Sequence, residues 1–183
     1  MSDLIVTEFV TLDDVVEDPD GRAGTPGGGW AFRHGEKAVA GDKFDLGPLF
    51  ETGVMLFGRT TWEHFSKLWP SRTGPFADRM NAIPKVVVSK SLTSADAWQN
   101  SSVTDDLVST VRALKARQDI VVVGSISVVR ALAEHGLVDE YRLMVFPTVL
   151  GAGERLFTVP GELRLTSVEQ KGSGALMRYR TDT

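Results

Sequence analysis

The sequence predicts an α/β protein on a mixed, mostly parallel central sheet flanked by helices, and three observations carry that prediction. Short apolar runs bounded by Gly, Pro or polar residues alternate with segments whose apolar residues recur at helical spacing, the pattern of strand-helix-strand units. One such run, Ile120 to Val123, breaks at Gly124-Ser125 straight into an amphipathic segment that Gly136 stops. The end of the chain departs from this alternation. There Leu163 to Glu169 and Ala175 to Arg180 flank Lys171-Gly172-Ser173-Gly174, a turn signal that predicts an antiparallel hairpin.

Taken in order, Leu4 to Leu12 reads as the first strand, with Val54 to Phe57 and Lys85 to Ser89 as later core strands. Helical patterns cover Lys43 to Thr52, Thr60 to Leu68 and Asp105 to Arg117, where Leu107, Val108, Val111 and Leu114 fall on one face. Val128, Val129 and Leu132 give the helix after Ser125 its apolar face. Trp62, Phe65, Leu68 and Trp69 form an apolar cluster that packs the helix after Arg59 on the sheet. Tyr141, Leu143 and Val145 alternate with Arg142 and Met144, a strand ending at Phe146-Pro147, with Phe146 assigned to the core. DPDGRAGTPGGGW, from Asp18 to Trp30, cannot hold regular structure and reads as a long flexible loop.

At 183 residues the chain fits one domain, residues 1–183, with a sizeable core. A formal net charge of −4 argues against nucleic-acid binding through a broad basic face, yet leaves room for a local anion pocket. No stretch is long and apolar enough to span a bilayer, and the first residues lack a basic segment followed by an apolar one. The expectation is therefore a cytoplasmic protein with no membrane partner. The absence of cysteine removes disulfides, thiolate nucleophiles and cysteine-bound zinc together. His34, His64 and His135 are scattered, so no metal site is expected.

Function enters through the strand ends, where ligands of open α/β sheets collect. At Gly124-Ser125 the missing Cβ and the free N–H groups of the helix start that follows suit a pyrophosphate. After Val54 to Phe57, Gly58 permits close approach, Arg59 offers a guanidinium fork and Thr60 can donate from the helix start. After Lys85 to Val88 come Ser89 and Lys90, a hydroxyl and a cation suited to the 2′-phosphate that separates NADPH from NADH. Gly151-Ala152-Gly153 is a fourth turn of this kind. Read blandly, Thr60 is an N-cap, Arg59 a solvated side chain, and Ser89-Lys90 a polar turn before Leu92.

FVTLDD (Phe9 to Asp14), MLFGRTTWE (Met55 to Glu63), MNAIPKVVVSKSL (Met80 to Leu92), the long run Val121 to Phe157 and the closing strand Ala175 to Tyr179 form an ordered set. Through that set nearly the whole chain resembles the reductase domain of riboflavin biosynthesis, within the dihydrofolate reductase-like superfamily. The resemblance implies a dihydrofolate reductase-like α/β fold, NADPH as hydride donor and, frequently, a homodimer. It would place Gly58, Arg59 and Thr60 on the cofactor phosphates, Ser89 and Lys90 on the 2′-phosphate, and Gly124, Ser125 and Ile126 on the pyrophosphate. The family reaction reduces the ribose of 5-amino-6-(5-phosphoribosylamino)uracil to its ribityl form. The zinc deaminase usually fused to this domain needs cysteines, so this chain corresponds at most to the reductase half. The family pattern Leu-Asp-Gly is here Leu12-Asp13-Asp14, which removes the residue that reaches positive φ most easily.

Hydride transfer to a C=N or C=O carbon needs a proton or hydrogen bond on that carbon's partner. Asp13, at the end of the first strand, is the first candidate for relaying that proton or holding the substrate's polar edge, against the plain alternative of capping a turn. Asp42 and Asp45 are weaker candidates, because acids near a helix start also simply cap it. Trp30 is a candidate wall of the substrate pocket, with the glycine-rich loop as a lid, or else an anchor of that loop to the core. For the substrate's own phosphate, Arg33, Arg72, Arg79 and Arg155 are available but undistinguished. Two function classes follow: an NADPH-dependent reductase of a small heterocyclic or ribosylated substrate, the riboflavin intermediate or a pteridine as for dihydrofolate reductases, or a non-catalytic nucleotide- or small-molecule-binding protein. A flavin-handling oxidoreductase fits less well, since Ser89-Lys90 suits NADPH.

Overall fold

The computed structural model describes residues 2–181. Along the chain the elements are β1 (Leu4–Thr11), a 3-10 turn at Phe32–His34, α1 (Glu36–Val39), α2 (Leu49–Thr52), β2 (Val54–Gly58), α3 (Arg59–Leu68), α4 (Pro75–Ala82), β3 (Lys85–Val88), β4 (Ser101–Thr104), α5 (Leu107–Lys115), β5 (Ile120–Val122), α6 (Ile126–Glu134), β6 (Glu140–Phe146), β7 (Leu163–Lys171) and β8 (Gly174–Thr181). The eight strands form one mixed sheet, and the described residues divide into two compact units, residues 2–6 with 46–139, and residues 7–45 with 140–181.

In the first unit the strand order is β4-β3-β2-β5-β1 and every pairing is parallel. All residues of β2 and β5 are buried, as expected of central parallel strands covered on both faces. The edge strand β4 has only one apolar residue, Val103, and sequence periodicity does not reveal it. Periodicity does not reveal helix α4 either, although its start is written in the chain: Gly74 at φ 109° precedes Pro75 at the first helical position, where a missing N–H costs nothing. The helix expected over Lys43 to Thr52 is only the single turn α2. Asp45 and Gly47 take positive φ (50° and 45°) and Pro48 follows, so no helix can run through them.

The MNAIPK segment owes its form to a buried polar knot. Lys85 is 1% exposed at the start of β3; its Nζ donates to the carbonyls of Asn81 (2.9 Å), Ile83 (2.7 Å) and Gln99 (3.2 Å) and lies 4.3 Å from the Trp98 ring centroid. Burial pushes its ammonium down to about 8. Asn81 completes the knot, accepting from Trp98 Nε1 (2.7 Å) and donating to the Trp69 carbonyl (3.1 Å). A cation placed on the last carbonyls of α4 also complements that helix's dipole.

In the second unit β6-β8-β7 is antiparallel, and β7 and β8 form the expected hairpin through Gly172-Ser173, with Lys171 opposite Gly174. Its core joins Trp30, Ala31, Ala38, Met144, Phe146 and Leu176, so Phe146 is a core residue. Phe9 stacks on Phe44 at 5.3 Å and meets Phe146 edge-on at 5.4 Å. Asp45 binds Lys171 (2.6 Å) and Arg178 (2.7 Å), while Arg142 Nη1 donates to the Phe44 and Asp45 carbonyls. That ionic cluster fixes the segment before α2 onto the strands.

The loop from Asp18 to Trp30 has no regular structure, as expected, but it is tied down. Asp18 accepts from Ala23 N (2.9 Å), Thr25 N (3.0 Å) and Thr25 Oγ1 (3.0 Å), and Arg33 Nη2 donates to the Gly27 and Gly28 carbonyls. Burial opposes ionisation of Asp18, yet these donors hold its carboxyl below the usual range. Gly28 passes so close to Asp18 that a Cβ there would collide with its carboxylate. One acid thus orders a segment that has no secondary structure to order it.

Candidate functional site

The eight residues predicted to face a cofactor all lie in the first unit, and backbone bonds bring them into two adjoining groups. The Gly58 N–H donates to the Gly124 carbonyl at 2.8 Å and the Val123 N–H to the Leu56 carbonyl at 3.2 Å, which locks the β2–α3 junction beside the β5–α6 junction. Contact at this point is as close as backbone permits: a Cβ on Gly58 would collide with Ser125 Oγ and meet Ser125 N and Cβ at 3.0 Å. Gly124 has φ 92°, and the Gly124-Ser125 peptide is cis.

Both helix starts are open. Gly58 and Ser125 are the N-caps of α3 and α6 in extended conformation, neither cap gives a side-chain bond, and neither first turn holds an acid. Thr60 is exposed in the first turn of α3 and Ile126 is half-buried as the first residue of α6. Helix α5, in the same unit, shows the contrast: its N-cap Asp106 accepts from Ser109 N at 3.0 Å, so its start is already supplied with an anion. Two open starts side by side are a place where backbone donors and dipoles favour negative charge.

Arg59 extends from the first of these starts to the Ser89-Lys90 turn. Its Nε donates to Glu63 (2.6 Å) and its Nη1 to Ser91 Oγ (2.7 Å), two of the five N–H donors of a guanidinium. Ser91 N in turn donates to Ser89 Oγ (3.2 Å), as does Leu92 N (2.9 Å), so Ser89 holds the turn before Leu92 while its own O–H remains a donor. Lys90 is exposed at the tip of this turn.

The substrate-side candidates belong to the second unit. Asp13 accepts from Thr11 Oγ1 (2.7 Å), Gly151 N (2.8 Å) and Leu150 N (3.2 Å), and these bonds, Thr11's first, hold its carboxyl down at about 2. The turn Gly151-Ala152-Gly153 is therefore an anion-binding turn whose anion is a side chain of the same unit. Held ionised, Asp13 can accept a hydrogen bond but has no proton to give near neutrality. Trp30 is 0% exposed and its Nε1 donates to the Glu17 carbonyl at 2.8 Å; its ring meets Phe146 and forms core, anchoring the loop, with no face left to wall a pocket. Asp45 is spent on the ionic cluster, and Asp42 lies in the turn before it.

Asp14 takes φ 68° although it is not glycine. Its N–H donates to the Thr11 carbonyl (3.1 Å), and Val15 N to Thr11 Oγ1 (2.9 Å), so the tight turn that Leu-Asp-Gly would make is made here by Leu-Asp-Asp. Aspartate is among the few non-glycine residues that tolerate this region.

Sequence reasoning missed Glu8. It lies in β1, its Oε1 is buried with no hydrogen-bond partner, and burial pushes its carboxyl up to about 8. The only signal was a carboxylate inside an otherwise apolar strand, LIVTEFVT. Among the described residues no cluster of His, Asp and Glu is arranged to hold a metal ion, and no helix is long and apolar enough to cross a membrane.

Known proteins resemble this chain along nearly its whole length. The RibD C-terminal domain family matches residues 3–177. A relative in Bacillus subtilis (strain 168), the uncharacterised protein YyaP, is 28% identical over 161 residues, covering 84% of this chain and 79% of that protein. A putative riboflavin biosynthesis protein from Shewanella sp. PV-4 superposes with a TM-score of 0.71 at 19% identity over 100% of both chains. A pyrimidine reductase-like protein from Corynebacterium diphtheriae gives 0.70 at 14% identity, covering 100% of this chain and 92% of the other. RibD of Acinetobacter baumannii gives 0.63 at 15% identity; this chain is covered whole and corresponds to 58% of that one. These likenesses show the fold, the α/β architecture on a mixed, mostly parallel sheet with an antiparallel end that the sequence predicted.

Proposed function

The chain belongs to the RibD C-terminal domain family, and from that premise we propose that it is an NADPH-dependent reductase of a small heterocyclic or ribosylated substrate, of the riboflavin-pathway type. The observation that carries this reading is the pair of uncapped helix starts held together by the Gly58–Gly124 bond, with Arg59 and the Ser89-Lys90 turn beside them. When bound, NADPH would supply a hydride from C4 of its nicotinamide.

The residues present suit such a group. The open N–H groups at Ser125, Ile126 and Thr60 would take the pyrophosphate oxygens, with Gly58 and Gly124 keeping side chains out of the way. Arg59 would add charge-assisted bonds, and Lys90 with the Ser89 hydroxyl would hold the 2′-phosphate. A reduced C=N or C=O also takes up a proton; within the second unit, Glu8, whose carboxyl burial pushes up to about 8, is the acid whose protonated form suits such a role. Asp13 serves instead by ordering the loop that carries Leu150 and Gly151.

Thermal unfolding of the purified protein with NADPH, NADH or neither tests the reading, since a ligand specific for the folded state at 100 times its dissociation constant adds about 2.7 kcal/mol. The expected result is a marked rise with NADPH and little with NADH. Arg59→Ala should weaken both responses, and Lys90→Ala should weaken that to NADPH selectively. No rise with either nucleotide, or equal losses for both at Lys90, would overturn the assignment. A positive result leads to screening uracil and pteridine substrates by NADPH absorbance.

A further inference from the structure

We infer that Asp18 is a positioning residue for the substrate side: it fixes the loop from Asp18 to Trp30 as a standing wall against Leu150, and so keeps the Leu150 and Gly151 amides on Asp13. The inference rests on the reductase reading for the role of Asp13 and its turn, and on the second unit alone for the wall itself. Five glycines among thirteen residues would let a lid swing freely. Here they act the other way, because three of them stand where a side chain would press on a neighbour. A Cβ on Gly28 would collide with the Asp18 carboxylate, and one on Gly21 would lie 3.2 Å from Gly29 N and Cα. Those two contacts close the loop on itself. A Cβ on Gly27 would lie 3.2 Å from Leu150 Cδ2, the contact that seats the loop on its neighbour.

Asp18 gathers the loop from both ends. Beside the bonds that its carboxylate accepts from Ala23 and Thr25, its carbonyl accepts from Gly21 N (3.2 Å) and Gly29 N (2.9 Å). It does so at φ 49°, a left-handed conformation that costs a non-glycine residue free energy and persists where the surroundings over-determine it. The Gly28 N–H donates to the Thr25 carbonyl (3.0 Å) and the Ala31 N–H to the Pro19 carbonyl (3.1 Å). Arg33 Nη2, on the Gly27 and Gly28 carbonyls at 2.8 and 2.9 Å, holds the part of the loop that touches Leu150.

The line of contact ends at Asp13. Leu150 packs on the core that holds Trp30 and Phe146, and Gly27 bears on its side chain, so it is pinned between core and loop. From that place its N–H donates to Asp13 Oδ1 at 3.2 Å, and the next N–H, that of Gly151, to Oδ2 at 2.8 Å. A loop free to swing would release one side of Leu150, and with it the amides that orient the carboxylate. Asp18 therefore acts on Asp13 through the loop and Leu150. A lid that closes over its ligand loses conformational freedom at the moment of binding, whereas a wall ordered in advance leaves that cost out of the binding step.

Hydrogen–deuterium exchange read by mass spectrometry on peptides covering residues 18–31 and 148–153, with and without NADPH, tests this. In the wild type both peptides should be protected, to the same degree in either condition. Asp18→Asn keeps a residue that tolerates positive φ but turns one acceptor oxygen into a donor, and it should speed exchange in both peptides by about tenfold or more. Arg33→Met, which leaves the Asp18 bonds in place, is the second variant and should speed both to a smaller extent. With a heterocyclic substrate from the NADPH-absorbance screen, Asp18→Asn should raise the substrate KM by about tenfold and leave the KM for NADPH within about twofold, a split that a general loss of stability does not produce. A loop that exchanges freely in the wild type, or gains protection only with NADPH, is a lid and overturns the inference. So does an Asp18→Asn variant whose 148–153 peptide stays protected. A wild type with no NADPH-induced rise in Tm but the same coupling of the two peptides would instead fail the reductase reading and keep the wall.

Discussion

In the unit that holds Gly58 and Gly124, the amides suited to an anion lie at two helix starts with no side-chain cap. In the unit that holds Asp13, the comparable amides of Leu150 and Gly151 are already bonded to a carboxylate of the same chain. The two glycine-rich turns look alike in sequence, and both suit anions; they differ in whether the anion comes with the protein. A turn motif identifies donors but not whether they are taken, since the acceptor can stand far off in the chain, as Asp13 does from Gly151. The acids divide the same way: Asp13 is supplied with donors that hold its carboxyl down at about 2, whereas Glu8, five residues earlier, has its buried Oε1 without a donor and its carboxyl pushed up to about 8 by burial.

That contrast between the acids gives the largest expected effect. The carboxyl of Glu8 is raised by burial from 4.5 to about 8, so the folded state keeps a proton that the unfolded chain releases at lower pH. Stability fully present below the unfolded value is lost as pH rises toward the folded one, by an amount on the order of a few kcal/mol across that window. Glu8→Gln should flatten the decline, measured as Tm from about pH 5 to about pH 8. With a substrate in hand, the same variant should lower kcat by about a hundredfold or more, the usual contribution of a positioned acid. Asp13→Asn, which sets an amide against two backbone N–H donors, should act mainly through stability and KM. A wild type whose Tm is level over that range would sink the neutral-acid role of Glu8.

The open helix starts can be broken directly. Gly58→Ala places a methyl against Ser125 where only a hydrogen fits. Destabilisation of about 1–3 kcal/mol is expected, as for overpacking generally, with loss of the NADPH-induced rise in Tm. Gly161→Ala is the control, because nothing lies within 4 Å of a Cβ there, and its effect should stay within about 0.5 kcal/mol. If Gly58→Ala were tolerated and the NADPH response kept, the close approach of the two starts would have no part in binding.

The parts legible from the sequence are those decided by neighbours in the chain. Periodicity locates β1, β2, β3, α3, α5 and the hairpin within a residue or two, and the glycine turns mark Gly58 and Gly124 because backbone geometry is a local property. What escapes is decided at a distance. The edge strand β4 gains its form by pairing with β3 and not from its own composition. Lys85 reads as an ordinary strand residue, since nothing near it announces the three carbonyls and the tryptophan it meets. Glu8 and Trp30 elude the sequence for one shared reason: burial depends on what folds over a residue.

Asp14 offers the smallest effect and the most specific one, because it separates the shape of the Asp13 turn from its strain. At φ 68° a side chain is strained, and the cost for an ordinary L-residue in this region is about 1–2 kcal/mol. Aspartate recovers part of that, here with a long bond from Phe157 N to its carboxylate at 3.4 Å. Asp14→Gly should therefore relieve strain and lose little, raising stability by less than about 1 kcal/mol and Tm by about 2 °C, while the N–H bond to Thr11 and the placement of Asp13 persist. Asp14→Ala keeps the strain and loses the carboxylate, so its Tm should fall below that of the wild type. The ordering Gly above Asp above Ala is what a turn that kept its backbone while changing its residue requires; if glycine instead lowered Tm, the carboxylate of Asp14 would be holding the turn and the strain at its φ would be secondary.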